Sequence, residues 1–418
     1  MTDTSSCSAS LPLPRLCQGV WHFPVHHVRG GTSTGLVIAA DVAPRDQALR
    51  EELLRHLMGV PLDGEAPGNR QITGLGRGVA TSNKVFFAAM ETAQDGTPRL
   101  VSTLAQLAAD HGRIDWSVNC GNMSAALQLW AFDCGLLSAA AGVRHIDIRN
   151  TNTGVISTSR MTIGADGRFA TARIPGVDGA FPAVDLFLHA PAGAKTGALL
   201  PTGRPLDRIG GVRASCVDVA VPMVILDAAE FGKSGHESLD ALNADDEFRA
   251  RLRAIWIEAG LMMGLTGKDG APMSREEIAR SETIPKVCIV GAPRHGGDLA
   301  VRYFTPQTLH GSMAVSGGSC LAAAALIPGT IAYAIAGKHA AAGESELQVA
   351  IEHPAGMLDT TVRVRMNGPL PDILSSAYRR SAQVLLSGYA PLYRASPALW
   401  QALAAIAAAQ PVAMHVDL

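Results

Sequence analysis

Val118-Asn119-Cys120-Gly121-Asn122-Met123-Ser124-Ala125-Ala126 is the stretch on which the reading of this chain turns. A cysteine stands directly before Gly-Asn. Behind it Leu127, Leu129, Trp130, Phe132, Leu136 and Leu137 recur at spacings near three and four. That period predicts a mostly buried helix beginning near Asn122, with Asn119 or Asn122 capping its first turn. Cys120 would then lie against the helix N-terminus, where the dipole favours a thiolate. The free N–H groups of Gly121, Asn122 and Met123 could hold a substrate carboxylate beside the sulfur. The plainer alternative is a small buried cysteine without chemistry, since free cysteine is among the most buried residue types. The flanking Asn-Cys-Gly-Asn pattern favours the chemical reading.

The totals agree with a cored globular protein. The chain has 418 residues, 47% hydrophobic and 17% charged, which predicts two or three domains and argues against long disordered segments. A formal net charge of -2 without a basic run gives no nucleic-acid groove. The 7 cysteines are widely spaced with no C-x-x-C; that is neither a disulfide framework nor a zinc site, and it fits a reducing compartment, the cytoplasm. Residues 1–20 contain Pro12 and Pro14 and lack a basic start before an apolar core, so they read as a disordered leader and not a signal peptide. The apolar runs 321–327 and 403–409 are too short to cross a bilayer.

Working outward, 22–40 reads as strand, Gly turn and strand around Arg29-Gly30-Gly31-Thr32-Ser33-Thr34-Gly35. A helix is expected over 46–58, with Asp46 at its start and Gly59 after its end. Gly74-Leu75-Gly76 through Ser82-Asn83-Lys84 leads into a strand at 85–90. This glycine run has neither the spacing of a phosphate loop nor that of a dinucleotide fingerprint. Further strands are expected at 98–105, 113–118, 144–149, 155–163 and 168–174. The Gly/Pro-rich run 191–204 reads as a domain joint, giving domains at 21–195 and 196–418. Strands follow at 215–219, 223–226, 285–290 and 298–303, two helices over 238–264, and an Ala-rich helix opened by Ser316-Gly317-Gly318-Ser319-Cys320. A hairpin over 347–365 and closing helices at 371–387 and 396–409 complete the chain.

The halves echo each other. Ser82-Asn83-Lys84-Val85 and then Cys120-Gly121-Asn122 answer to Ile284-Pro285-Lys286-Val287 and then Gly317-Gly318-Ser319. Gly317 falls opposite Cys120, so one acid/base cysteine is expected and not a symmetric pair. Two like domains would bring two helix N-termini to one cleft, suited to a ligand with several carboxylates.

These landmarks together resemble the PrpF family of 2-methylaconitate isomerases, 4-oxalomesaconate tautomerases and related isomerases. They are Val28 to Gly35, Gly74-Leu75-Gly76, Thr81 to Val85, Asn119 to Asn122, Gly197 to Gly203, Ile284 to Val287, Ile327-Pro328-Gly329 and Glu352 to Gly356. The resemblance implies an α+β fold of diaminopimelate epimerase type, two pseudo-symmetric domains with the active site in the cleft between them. It implies Lys84 and Cys120 as the acid/base pair, and Arg29, Gly30, Gly31, Thr32 and Ser33 as cleft residues. Thr34 stands where the family commonly has Lys, and Arg77 where it has a small Gly; both bear on which substrate fits.

The expected chemistry moves a proton along an allylic carboxylate, with the developing negative charge held by helix N-termini and Lys or Arg and without a metal. Substrate contacts are expected from Ser82, Asn119 and Met123 beside the pair, and from Arg302, His310 and Ser316 to Ser319 in the second half. A lone Lys84 would otherwise read as a surface residue, and Arg302 or His310 as structural. Cys320 reads as core. No cofactor and no metal are expected; His26-His27 and the scattered acids show no ligand spacing. The expected partner is a small unsaturated polycarboxylate, neither nucleic acid nor membrane, with a homodimer as the candidate assembly. The rivals are 2-methylaconitate cis–trans isomerisation, a cofactor-independent amino-acid epimerase, and a non-catalytic polycarboxylate-binding protein of the same fold.

Overall fold

The computed structural model describes residues 11–78, 82–117, 119–267 and 269–409. It forms two compact units. The first takes in the described chain up to Arg173, Val177–Leu186 and the described chain from Arg380 onward; the second is Ile174–Gly176 with Phe187–Arg379.

In the first unit β1 (Arg15–Cys17) pairs antiparallel with β2 (Val20–Gly30) through a tight turn at Gln18 and Gly19, both at positive φ. The expected leader 1–20 is therefore partly ordered: residues 15–17 are a strand, and residues 1–10 lie outside the described chain. Next, β2 runs antiparallel to β3 (Ser33–Ala39). Helix α1 (Gln47–Met58) has the ends its sequence promises, Asp46 accepting from the Leu49 N–H and Gly59 left-handed at φ 68°. It leads into β4 (Lys84–Thr92), parallel to β3, and β5 (Pro98–Leu107), antiparallel to β4. After β6 (Ile114–Asp115) come two short helices, α2 (Gly121–Ser124) and α3 (Leu127–Asp133). Then β7 (Gly142–Asn150) lies parallel to β5 and antiparallel to β8 (Ile156–Ile163). Strand β9 is Thr171–Ala172, and the chain leaves the first unit inside β10 (Phe181–His189).

The second unit repeats this order of pairing. Strand β11 (Asp207–Ile209) is antiparallel to β12 (Val212–Val219), which is antiparallel to β13 (Val221–Asp227). Helices α4 (Leu239–Asn243), α5 (Asp246–Met262) and α6 (Arg275–Arg280) precede β14 (Lys286–Gly291), parallel to β13. Strand β15 (Leu299–Thr305) runs antiparallel to β14 and continues through β16 (Thr308–Leu309) to α7 (Val315–Ala324) and α8 (Ile331–Ala336). Finally β17 (Gly343–His353) lies parallel to β15 and antiparallel to β18 (Gly356–Met366). Each unit thus has three hairpins joined by two parallel pairs, with helices in the same two connections. The short sequence echo is the visible trace of this duplicated topology.

Strand alternation sorts the second unit into layers. Val217, Met223, Ile225, Cys288 and Val301 pack with α7 and α8, while Cys216, Val224, Leu226, Val287 and Ile289 pack with Leu252, Ile255 and Trp256 of α5 on the other face. The glycine-rich loop 191–204 is no joint. It belongs to the second unit, where Asp218 accepts from the Lys195 and Thr196 N–H groups, each at 2.8 Å, and from Thr196 Oγ1 at 2.9 Å.

The largest departure from expectation is 371–387, where a helix was predicted. It is part of β19 (Asp372–Leu392), which pairs with β18 and then, from Ala382 on, with β2. Ala, Arg, Gln and Leu give the segment fair helix propensity, but the open edges of β18 and β2 supply ladder partners. Tertiary pairing overrides the local preference. Helix α9 (Pro397–Ala408) then forms as predicted, capped by Ser396. Since β19 returns to the first unit at Arg380, the expected domains 21–195 and 196–418 become the two units above. Among the described residues, no helix is long and apolar enough to cross a membrane.

Candidate active site

The floor of the site is the β2–β3 hairpin. A Cβ on Gly30 would collide with the Asn122 carbonyl and stand 2.9 Å from Met123 Cα. One on Gly35 would collide with the Lys84 carbonyl and stand 3.0 Å from Met123 Cε. Gly31 turns at φ 53° against the Asn122 side chain. These glycines let the Cys120 segment and the start of β4 settle on the same hairpin. Three motifs far apart in sequence therefore meet in the first unit.

Cys120 is a free, partly exposed thiol at the N-cap position of α2, in extended conformation. The predicted caps are not made. Asn119 Oδ1 accepts instead from the N–H of Cys120 at 2.7 Å. The Asn122 side chain turns away, donating to Thr32 Oγ1 at 3.3 Å and accepting from Arg380 Nε at 3.0 Å. The predicted single helix is also broken at Ala125 and Ala126, leaving α2 with 4 residues. The Cys120 carbonyl is claimed by the Ser124 N–H and Oγ. The N–H groups of Gly121, Asn122 and Met123, first in a helix, have no partner within it.

Lys84 is not a surface lysine. It opens β4 opposite Gly35, is 6% exposed, and is preceded by the fully buried Asn83. Asn83 Nδ2 donates to Gln71 Oε1 at 2.9 Å, and its Oδ1 accepts from the Arg77 N–H at 3.2 Å. Gln71 in turn donates to the Met58 carbonyl at 2.9 Å. This buried amide pair fixes the loop that delivers Lys84. Ser82 is partly exposed beside it, and residues 79–81 lie outside the described chain.

Arg29 is buried, and its Nη1 donates to the carbonyls of Gly31 and Ser381 at 2.9 and 3.0 Å, with its guanidinium 4.7 Å from the Phe181 ring centre. Burial lowers its pKa. Its bonded donors hold the hairpin turn, so its first role here is architectural. Thr32 is exposed and Ser33 buried.

The second-half residues belong to the other unit. Arg302 is buried, donating to the carbonyls of Glu237 and Val301 at 2.6 and 2.9 Å. His310 is partly exposed, its Nδ1 accepting from the Ser312 N–H at 3.0 Å. Ser316 lies in the first turn of α7. Gly317 and Gly318 answer to packing: a Cβ on the first would sit 2.5 Å from the Tyr303 ring, and one on the second would strike Leu358. Ser319 and Cys320 are fully buried. Cys320 is core, its thiol pushed well up by burial. Lys286 opens β14 as Lys84 opens β4, half-buried and with its pKa lowered by desolvation. Among the described residues, those with a metal-ligand arrangement are His236, His295 and Glu352, also in the second unit.

Sequence reading missed Gln71 and Arg380. Neither carries a local signal, because each acts on a motif through a contact formed only in the fold.

The family model described as PrpF protein matches residues 20–392. The 4-oxalomesaconate tautomerase of Pseudomonas putida is 32% identical over 373 residues, covering 88% of this chain and 96% of that protein. The (4E)-oxalomesaconate Delta-isomerase of a Novosphingobium species is 30% identical, covering 90% of this chain and 99% of that protein. Among solved structures, a methylitaconate-delta-isomerase superposes with a TM-score of 0.75 at 26% identity, over 92% of this chain and 97% of that one.

Proposed function

This chain belongs to the PrpF protein family and is an isomerase, and on that premise we propose that it shifts a proton and double bond in an unsaturated di- or tricarboxylate of 4-oxalomesaconate or aconitate type, with Lys84 and Cys120 as the acid/base pair. The observation that carries the proposal is the shared seat of Lys84 and the Cys120–Met123 segment on Gly30 and Gly35.

One of the two groups takes a proton from a carbon next to, or vinylogous to, a carboxylate. The electron pair delocalises as a dienolate, and the other group returns a proton at the far carbon or the other face. Acid/base catalysis of this kind contributes roughly 10²–10⁴-fold. The N–H groups at the start of α2 are suited to the negative charge that develops.

The test is proton NMR in D₂O against cis- and trans-aconitate, 2-methylaconitate, itaconate derivatives, 4-oxalomesaconate and diaminopimelate. Deuterium entering one unsaturated acid with a displaced double bond is the expected result. Cys120→Ser and Lys84→Ala should each lower exchange by at least about 10²-fold while the fold persists. Full exchange in both variants would remove them from the mechanism. A geometric inversion of 2-methylaconitate would select the cis–trans isomerase, α-carbon exchange in the amino acid the epimerase, and tight binding without exchange the binding protein.

A further inference from the structure

Three segments of the second unit converge on one spot. The loop after β13 brings His236, the β14–β15 loop brings His295, and the end of β17 brings Glu352. One ring nitrogen of each histidine and one carboxylate oxygen all lie within 4.8 Å of one another. We propose that His236, His295 and Glu352 bind a first-row divalent transition ion, zinc by the character of its ligands, which clips these three segments together.

The site is built. Glu352 is 4% exposed. Its Oε1 accepts from the His295 and Gly297 N–H groups at 2.5 and 2.9 Å, and its Oε2 from the Arg294 N–H at 2.8 Å. The carboxylate is thus held in one orientation with acceptor capacity left over. Two glycines permit the approach. A Cβ on Gly297 would stand 2.6 Å from Glu352 Cγ, and one on Gly291 would run into the Ser234 carbonyl. His236 is anchored as well, with a ring nitrogen 2.8 Å from the Ala292 carbonyl. A carbonyl only accepts, so in the neutral ring that Nε2 carries the hydrogen and Nδ1 keeps its lone pair. Support of one ring nitrogen by a carbonyl is the usual setting of a metal-ligating histidine.

Two imidazoles and a carboxylate are a ligand set zinc takes with a fourth position open to water. Bonds of about 2.0–2.2 Å place tetrahedral ligands roughly 3.4 Å apart. The widest pair here therefore has to close by about 1.4 Å at most. Glu352 is fixed, while His295 is exposed and its ring is free to move toward the other two ligands by rotamer change. Sequence spacing could not disclose this trio, since the ligands are spread from residue 236 to residue 352 on three separate connections. The site involves neither Lys84 nor Cys120, which belong to the other unit.

The test uses the full-length, tag-free protein stripped with a chelator and titrated with Zn²⁺ by calorimetry and with Co²⁺ by absorption. One ion per chain is expected, with cobalt d–d bands of tetrahedral intensity and no sulfur charge-transfer band, which separates the site from the free thiols. Zn²⁺ should raise the melting temperature. His295→Ala removes an exposed ring and leaves all three N–H bonds to Glu352, so it should fold normally. It should weaken Zn²⁺ binding at least tenfold and abolish the thermal shift, and His236→Gln should do the same. Wild-type protein without a saturable site, a thiolate spectrum, or variants that bind as wild type does would each overturn the proposal.

Discussion

Arg380 reaches Asn122 across 258 residues of sequence, and that contact bears on how the Cys120 segment is held. Asn122 lies two residues past Cys120, accepts from the buried Arg380 and donates to Thr32 on the hairpin floor. Removing its side chain takes away the hydrogen bond from Arg380 Nε, which as a bond to a charged group is worth about 1.5–3 kcal/mol, and frees the short α2 to shift. Asn122→Ala should therefore lower kcat by roughly 10–100-fold, the scale of a 1 Å misplacement, with KM changed much less. Asn122→Asp, which keeps the acceptor for Arg380, should recover part of the loss. Steady-state kinetics on the substrate identified by NMR measure both, and equal losses in the two variants would leave Arg380 without a positioning role. The motifs around Lys84 and Cys120 stood out in the sequence because each is compact and local. Arg380 and Gln71 were not, because what marks them is a partner found only after folding. Asn119 and Asn122 were misassigned as caps for the same reason: each amide has a better-placed partner than the helix N–H groups.

Elements with chemical punctuation at both ends were the legible ones. Asp46 and Gly59 bound α1, and Ser238 and Ser396 start α4 and α9. Elements defined by partners were not, as β19 shows. A cross-strand cluster of this second kind joins β4, β5 and β7: Glu91 accepts from Arg99 at 2.6 Å and from Arg149 at 2.6 Å. The Arg149 hydrogen bond, opposed by partial burial and helped by Arg99, draws the Glu91 carboxyl down from its ordinary 4.5 to about 2. A depressed carboxyl pKa contributes stability that is complete above the unfolded value and is lost as pH falls through the folded one. Glu91→Gln should accordingly cost about 1 kcal/mol at pH 7, an amount typical of a partly exposed ion-pair network. The gap from wild type should shrink between about pH 4.5 and pH 2. Denaturant titrations across that range measure it, and a gap that widened on acidification would contradict the assignment of the shift to the arginines.

At the scale of the whole chain, the duplicated topology and the echo in sequence agree, but the units are not two consecutive halves. The first unit is completed by residues from beyond the second. From Ala382 on, β19 supplies the antiparallel neighbour of β2. Leu399 and Leu403 of α9 are fully buried, Trp400 packs edge-on against Trp21 with ring centres 5.7 Å apart, and the Ser396 N–H and Oγ bond Glu52 of α1 at 2.7 and 2.8 Å. Composition placed a joint in the Gly/Pro-rich 191–204 because such runs commonly form loops; here the run is stapled by Asp218, and the two crossings that bound the long second-unit segment fall inside β10 and β19, where no turn chemistry marks them. A chain cut after residue 195 would keep every element of the first unit except those contributed from Arg380 onward. It would lose a whole ladder on β2 and two leucines, each worth about 2–5 kcal/mol when truncated in a core. That sum rivals the 5–15 kcal/mol that holds a domain folded. The 11–195 fragment should therefore show no cooperative thermal transition by circular dichroism and poor amide dispersion by NMR. Joining 11–186 to 380–409 through a flexible linker should restore both, because it returns the missing strand and helix to their partners without the second unit. Cooperative melting of the bare 11–195 fragment would mean that the returning segment is dispensable and that the unit is complete before the chain leaves it.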